Sequence, residues 1–383
     1  MILQAVKWTN RWARIQHLWG ETILSVLSGR KPSLVGLDIS PSAVKMLELS
    51  FDGEGYVVEN YGAEPLPENT IVEQNIVDLE AVSHAIRQLK KSTKFNAKLV
   101  AVAVAGSSVI TKTIEVPATL KDNQIEEQLL LDADQYIPYP LDEVAMDFQV
   151  LGPSPRSSQM VDVLIAACRR EHIESREAAI EMAGLVPEVI DIEAHCVQRA
   201  MALDLDLFTR DLSKGLPDIL AIVDIGADMM CLSVLAGSQV VYTREQMFGG
   251  KQLTEEIQRT YGLPLAEAGY KKKFGVLPDD YEKKVLNPYK DALVQHVMRS
   301  LQFFYSATAY NDVDRIVLAG GTANLSGLDE IIERKLGTPV SVANPFDNMR
   351  IADKVDVKRL IGDAPAMMIA CGLAMRGLGF HVR

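Results

Sequence analysis

A duplicated α/β fold is predicted by three observations on the sequence. Leu34-Val-Gly-Leu-Asp38-Ile-Ser40 and Leu220-Ala-Ile-Val-Asp224-Ile-Gly226 are each an apolar run closing on Asp, Ile and a small residue. At the same offset of 186 residues (38 to 224) the apolar stretch from Val44 to Leu49 matches that from Met230 to Leu235, so each copy reads as strand, tight turn, strand. A third apolar run, Arg315-Ile-Val-Leu-Ala319, breaks at Gly320-Gly321-Thr322 ahead of a helix expected from Ser326 to Leu336.

In order from Pro32, the patterns predict strands at 34–39, 44–50 and 56–61, a helix at 78–91 and a buried strand at 98–104. An acidic α+β segment follows, with strand 109–116, helix 121–135, strand 144–151, a Gly152-Pro-Ser-Pro-Arg-Ser-Ser158 loop, strand 160–167 and helix 170–183. Val189-Ile-Asp-Ile192 reads as a strand feeding a helix at 193–203, and the second half begins at Asp218. Two hairpins that can grip phosphate, followed by a glycine turn, resemble the actin-like ATP-binding superfamily. The fold class expected is therefore α/β: an actin-like, ribonuclease H-like duplicated ATPase fold with an inserted small α+β subdomain.

Composition sets the limits on function. A chain of 383 residues, 48% hydrophobic and 23% charged, is long enough for about two to four domains with real cores. No apolar run reaches the roughly 20 residues that cross a bilayer, so no membrane span is expected. The net charge of -12 argues against nucleic acid as a partner. Cys168, Cys196, Cys231 and Cys371 are widely spaced, as reduced cytosolic thiols are, and form neither a C-x-x-C pair nor a zinc framework.

The first 31 residues depart from this average. Lys7, Arg11, Arg14, Arg30 and Lys31 face only Glu21, and all three tryptophans lie here. On a helix, Trp8, Trp12, Ile15, Trp19, Ile23 and Val26 form one stripe, which suits peripheral contact with a membrane interface or a partner groove. The plainer reading is a disordered leader whose apolar residues pack nowhere or dock on the chain's own surface.

The hairpins carry the chemistry. Asp38 ends its strand, and Ser40 and Ser42 lie in a turn whose hydroxyls and amides can cradle a phosphate. Lys45, a compact cation among apolar residues, suits phosphate charge or else snorkels to solvent. Asp224 is the counterpart of Asp38, and two carboxylates flanking a triphosphate would hold Mg²⁺ mostly through waters. Gly226, Gly320 and Gly321 give backbone room for a nucleotide, with Thr322 beside them.

The chain resembles the PilM family, actin-like cytoplasmic components of type IV pilus machines related to the division protein FtsA. The likeness runs from about Ser33 to Leu378. Its carriers are Val35-Gly-Leu-Asp-Ile-Ser40 with Ser42-Ala-Val-Lys45, Ala133-Asp-Gln-Tyr-Ile-Pro-Tyr-Pro140, Val223-Asp-Ile-Gly-Ala227, Phe248-Gly-Gly-Lys-Gln-Leu-Thr-Glu255, Leu318-Ala-Gly-Gly-Thr322 and Ala364-Pro-Ala-Met-Met-Ile-Ala-Cys-Gly-Leu-Ala374. The resemblance implies a leader (1–32), a subdomain 1A in two parts (33–109 and 186–217) around an inserted subdomain 1C (110–185), a subdomain 2A in two parts (218–255 and 315–364) around 2B (256–314), and a second connecting helix (365–383). It further implies ATP with Mg bound between two halves, and capture of the cytoplasmic N-terminal peptide of PilN beside the inserted subdomain. A homo-oligomeric scaffold at the cytoplasmic face of the inner membrane is also implied, in contact with other pilus platform components and serving twitching motility.

Other matched positions stay open. Glu193 corresponds to a residue that can orient an attacking water as general base, or is a glutamate favoured by the first turn of its helix. Glu267 with Lys271 or Lys272 resembles a ribose-contacting acid and base, while Glu267 with Lys271 also reads as an i,i+4 surface pair. Met230 stands where the second hairpin usually offers a hydroxyl, and Asp228 adds a negative charge, so ATP hydrolysis is expected to be weak or absent. Gly250-Lys251 is not a Walker motif, since the spaced glycine and following Ser/Thr are missing. The alternatives are an FtsA-like division protein tethered to the membrane and a small-molecule kinase on the same fold.

Overall fold

A computed structural model describes residues 34–95, 97–203, 218–237 and 239–378. The leader with its tryptophan stripe lies outside them. In chain order the strands are β1 (Leu34–Ser40), β2 (Ala43–Phe51), β3 (Tyr56–Pro65), β4 (Ile71–Val72), β5 (Asn75–Ile76), β6 (Leu99–Val104), β7 (Val109–Pro117), β8 (Val144–Ser154), β9 (Ser157–Arg169), β10 (Val186–Ile192), β11 (Ile219–Ile225), β12 (Met230–Ala236), β13 (Gln239–Gln246), β14 (Arg315–Ala319), β15 (Val340–Val342) and β16 (Arg350–Ile351). The α-helices are α1 (Leu79–Thr93), α2 (Asp122–Asp132), α3 (Arg170–Met182), α4 (Glu193–Met201), α5 (Gly250–Tyr261), α6 (Leu265–Phe274), α7 (Asn287–Ala307), α8 (Leu328–Leu336), α9 (Val357–Asp363) and α10 (Met368–Ala374).

The described chain forms two compact units, residues 34–44 with 64–193 and residues 45–63 with 194–378.

In the first unit β6 is the middle of three parallel strands, with β1 on one side and β10 on the other. Its Leu99-Val-Ala-Val-Ala-Val104 run is unbroken by polar residues because a parallel strand is covered on both faces. Helix α1 starts at Asp78, whose carboxylate accepts from the Ala81 amide at 2.9 Å, and buries Val82, Ala85, Ile86 and Leu89. The inserted segment is an antiparallel sheet in the order β7-β9-β8, and Ile125 and Leu129 of α2 pack on Val116, Val163 and Ile165. The Gly/Pro/Ser stretch expected as a loop is mostly strand: β8 runs to Ser154 and β9 starts at Ser157. Pro153 is tolerated because β8 is an edge strand, and Gly152 takes up a bulge at φ +133.

In the second unit five strands run β13-β12-β11-β14-β15. Strand β11 is antiparallel to β12 and parallel to β14, and β14 is parallel to β15. The order β15-β14-β11 repeats β10-β6-β1 of the first unit, which is the duplication seen in the sequence. Both faces of β11 are buried: Leu220 and Ile222 join a core with β2, β3, α4 and α10, while Ala221, Val223 and Ile225 join a core with α5, α7 and α8. Helices α4 and α10 touch at Gly372, where a Cβ would lie 1.9 Å from the Cys196 carbonyl oxygen. Arg199 Nη1 donates to the Gly372 carbonyl at 2.6 Å across the same contact. Among the described residues no helix is long and apolar enough to cross a membrane.

Candidate functional site

The second unit gathers its expected site residues around the end of β11. Asp224 is the penultimate residue of that strand, and Gly226 opens a tight turn closed by its amide donating to the Met229 carbonyl at 2.9 Å. Parallel pairing sets Asp224 level with Ala319, so the β14 glycine turn emerges beside it. Gly320 has φ +85, and a Cβ there would lie 2.5 Å from Asp224 Oδ1 and 2.4 Å from the Ile225 carbonyl oxygen. No other residue type fits that backbone at that distance. Thr322 ties the two turns together, its amide donating to the Ile225 carbonyl at 3.1 Å and its hydroxyl to the Gly226 carbonyl at 3.2 Å. Gly321 stays exposed with its backbone open.

The third wall comes from residues the sequence reading did not assign to the site. Gly249 packs so closely on the turn that a Cβ would meet the Ala227 carbonyl oxygen at 2.4 Å. The Gly250 amide donates to the Gly226 carbonyl at 2.9 Å, and the Tyr289 hydroxyl donates to the Gly249 carbonyl at 2.9 Å. The signal was present in the Phe248-Gly-Gly pair, whose rings and glycines form this packing: Phe248 stacks on Tyr289 with centroids 5.3 Å apart.

The adjacent lysines of α6 part company. Lys271 turns outward and pairs with Glu267 at 3.1 Å, the i,i+4 arrangement. Lys272 turns inward and donates to the Gly250 carbonyl at 2.8 Å and to Thr254 Oγ1 at 2.6 Å. Burial lowers its pKa to about 8, and no carboxylate among the described residues offsets that cost. A desolvated cation held by neutral oxygens beside glycine turns suits an incoming anion. Met230 is buried, as its apolar character requires, and the Asp228 charge is answered by Lys251 at 4.0 Å.

The first unit places Asp38 two residues before the end of β1, 2% exposed. Ser40 Oγ donates to the Ala43 carbonyl at 2.8 Å and closes the turn, with Ser42 exposed at its tip. Lys45 on β2 is half-buried and belongs to the second unit, followed by Leu47 and Leu49, which enter the core. Glu193 is the first residue of α4 and half-buried. Among the described residues no cluster of three or more His, Cys, Asp or Glu side chains could hold a metal alone. A magnesium ion here would need phosphate and water for most of its ligands.

The first unit also carries an apolar groove where the inserted sheet meets the parallel strands. Val104, Val109, Met146, Ala167, Ile173 and Ile192 line it, and Asp147 is its single charged residue. Ile137 of the Tyr-Ile-Pro-Tyr-Pro segment packs with Ala133, Val144 and Ala167, the last of which lines the groove. Tyr136 lies under Lys112 Nζ, 4.5 Å from its ring centroid, and Tyr139 stays exposed near Arg169.

A family model of the type IV pilus assembly protein PilM matches residues 36–378. The chain belongs to the PilM family. A solved PilM–PilN type IV pilus biogenesis complex is similar with a TM-score of 0.75 and 27% identity, covering 91% of this chain and 100% of that one. Cell division protein FtsA of Pseudomonas aeruginosa is 24% identical over 394 residues, 92% of this chain and 91% of that protein. The ethanolamine utilization protein EutJ of Carboxydothermus hydrogenoformans shares the fold, with a TM-score of 0.54 and 16% identity over 97% of this chain and 98% of its own. The expected actin-like ATPase fold is thus the fold of this PilM-family chain.

Proposed function

We propose that the protein is an ATP-binding scaffold of a type IV pilus assembly platform, acting at the cytoplasmic face of the inner membrane. It captures the cytoplasmic N-terminal peptide of PilN in the groove of the first unit. The groove is the observation that carries this reading: it is apolar, bears one carboxylate, and lies in a chain 27% identical to the PilM of a PilM–PilN complex. The space free there is only about 30 Å³, so an apolar side chain of the peptide gains affinity by opening and filling it, and Asp147 favours a basic residue beside that side chain.

Nucleotide binding rests on the second unit. Lys272 meets phosphate charge, Gly320 and Gly321 admit the backbone-close part of the nucleotide, and Asp224 and Asp38 each serve as a water-mediated ligand for Mg²⁺. In this reading Ser40, Ser42 and Lys45 serve the phosphates, and Glu193 orients an attacking water. Hydrolysis is slow, because Met230 supplies no hydroxyl, and the bound nucleotide acts as a gating ligand. Residues 1–31 add peripheral membrane contact, and copies of the chain assemble on the platform.

Calorimetric titration with a synthetic PilN N-terminal peptide, with and without Mg-ATP, tests the proposal. Saturable one-to-one binding that Ala145→Glu abolishes, while Mg-ATP binding survives, is the expected result. Absence of peptide binding in both nucleotide states overturns the scaffold reading.

A further inference from the structure

Among the described residues the largest fully buried side chain is a charged one, Arg176, 1% exposed on α3. Its guanidinium donates to three carbonyls: Nε to Ala103 at 2.9 Å, Nη1 to His172 at 2.9 Å and Nη2 to Gln74 at 3.4 Å. Ala103 is near the end of β6, and the register places Asp191 of β10 beside it on one side. On the other side Leu37 pairs with Val102, so Asp38 is the next residue along, near the end of β1. The cation therefore lies under the carboxyl ends of three parallel strands, where an α/β sheet meets its ligand.

The same helix faces the groove. Ile173, one turn before Arg176, lines it, as do Cys168 at the end of β9 and Ile192 immediately before Glu193. Burial lowers the pKa of Arg176, and the carboxylates of Glu193 and then Asp38 favour its charged form. A buried guanidinium this costly to desolvate is held by the charges around it, and any shift of α3 changes that balance.

We propose that Arg176 is a positioning residue that links the groove wall to Asp38 and Glu193, so that a peptide in the groove and a nucleotide triphosphate at the β1 hairpin bind interdependently through α3. The inference rests on the scaffold reading and names the residue that would couple its two ligands. A peptide pressing on Ile173 moves α3 by fractions of an ångström, and the guanidinium carries that movement to the strand ends. Coupling of this kind is reciprocal, so the nucleotide changes peptide affinity by the same factor.

The test measures the dissociation constant of the PilN N-terminal peptide with and without Mg-AMPPNP, in the natural protein and in Arg176→Lys. The lysine keeps the charge but cannot reach three carbonyls at once. The natural protein is expected to show a change on the order of tenfold on adding nucleotide, and Arg176→Lys to bind each ligand with the factor reduced to near one. An unchanged factor in Arg176→Lys, or no factor in the natural protein although both ligands bind, overturns the proposal. Failure of the natural protein to bind either ligand refutes the scaffold reading itself, and the coupling with it. Should Arg176→Lys not fold, hydrogen exchange on the natural protein decides: Mg-AMPPNP alone must slow exchange in residues 170–182, and unchanged exchange there overturns the proposal.

Discussion

Gly372→Ala is the sharpest test of the packing that joins α4 to α10. The added methyl would lie 1.9 Å from the Cys196 carbonyl oxygen, where ordinary contact begins at 3.4 Å. Backbone atoms cannot rotate aside, so the helices must part by about 1.5 Å, the difference between those two distances. Overpacking of this kind costs about 1–3 kcal/mol. The same displacement stretches the 2.6 Å bond from Arg199 to the Gly372 carbonyl past hydrogen-bonding range, and loss of a bond from a charged donor costs about 1.5–3 kcal/mol. Together these give a loss of about 2.5–6 kcal/mol, or a melting temperature lower by roughly 10 °C for a unit of this size. Calorimetric melting measures it, with Gly269→Ala as control, because a Cβ there meets only Thr254 Cγ2 at 3.7 Å. The control should gain slightly from helix propensity. A Gly372→Ala protein within about 1 kcal/mol of its parent would refute the close-contact argument, since even the low end of the overpacking cost would be missing.

Three further outcomes are expected. Gly320→Ala should abolish Mg-ATP binding in calorimetry and lower stability by about 2 kcal/mol or more, since the new methyl is strained in the left-handed region and collides with Asp224; retained affinity would contradict the role of this turn. Because burial holds Lys272 near pKa 8, a nucleotide anion should restore its proton: at pH 9 binding should take up roughly one proton, read from titration enthalpies in two buffers, and the uptake should vanish in Lys272→Met. His172 is buried with Nδ1 lacking a hydrogen-bond partner, and burial together with Arg176 and Arg169 lowers its pKa despite Glu171. Its folded-state pKa thus lies below the unfolded 6.5, so the unfolded chain binds the extra proton and stability is lost as pH falls through 6.5. Urea midpoints from pH 7.5 to 5 should fall less steeply in His172→Gln, and parallel slopes would rule His172 out as the cause.

The parts of the fold that were legible in the sequence are those governed by local pattern. The two Asp-ended hairpins, the unbroken β6 run and the Gly320 turn each carry their reason within ten residues, and the strands stand within a few residues of their expected bounds. The Gly152–Ser158 stretch was misjudged because Gly and Pro signal a turn by composition, whereas an edge strand with a bulge accepts both. Lys271 and Lys272 could not be told apart by spacing, for adjacent helical residues differ only in direction, and it is packing against Gly250 that decides which one turns inward. Arg176 left a faint trace: it falls on the Ile173, Ala179, Ile180 stripe of α3, a charge in an apolar register. The groove left none, since β6, β7, β8, β9, α3 and β10 meet there from across 90 residues of sequence.

The four thiols differ in a way that is useful at the bench. Cys168, Cys196 and Cys371 are buried, and burial pushes Cys168 up to about 11 and Cys371 to about 12, leaving almost no thiolate at neutral pH. Cys231 alone is half-buried, and it sits directly across the β11–β12 pair from Asp224. A maleimide dye offered to the natural protein should therefore enter first on the strand beside that aspartate. The chain carries its own single attachment point for an environment-sensitive fluorophore, one residue's width from the turn where a phosphate would arrive.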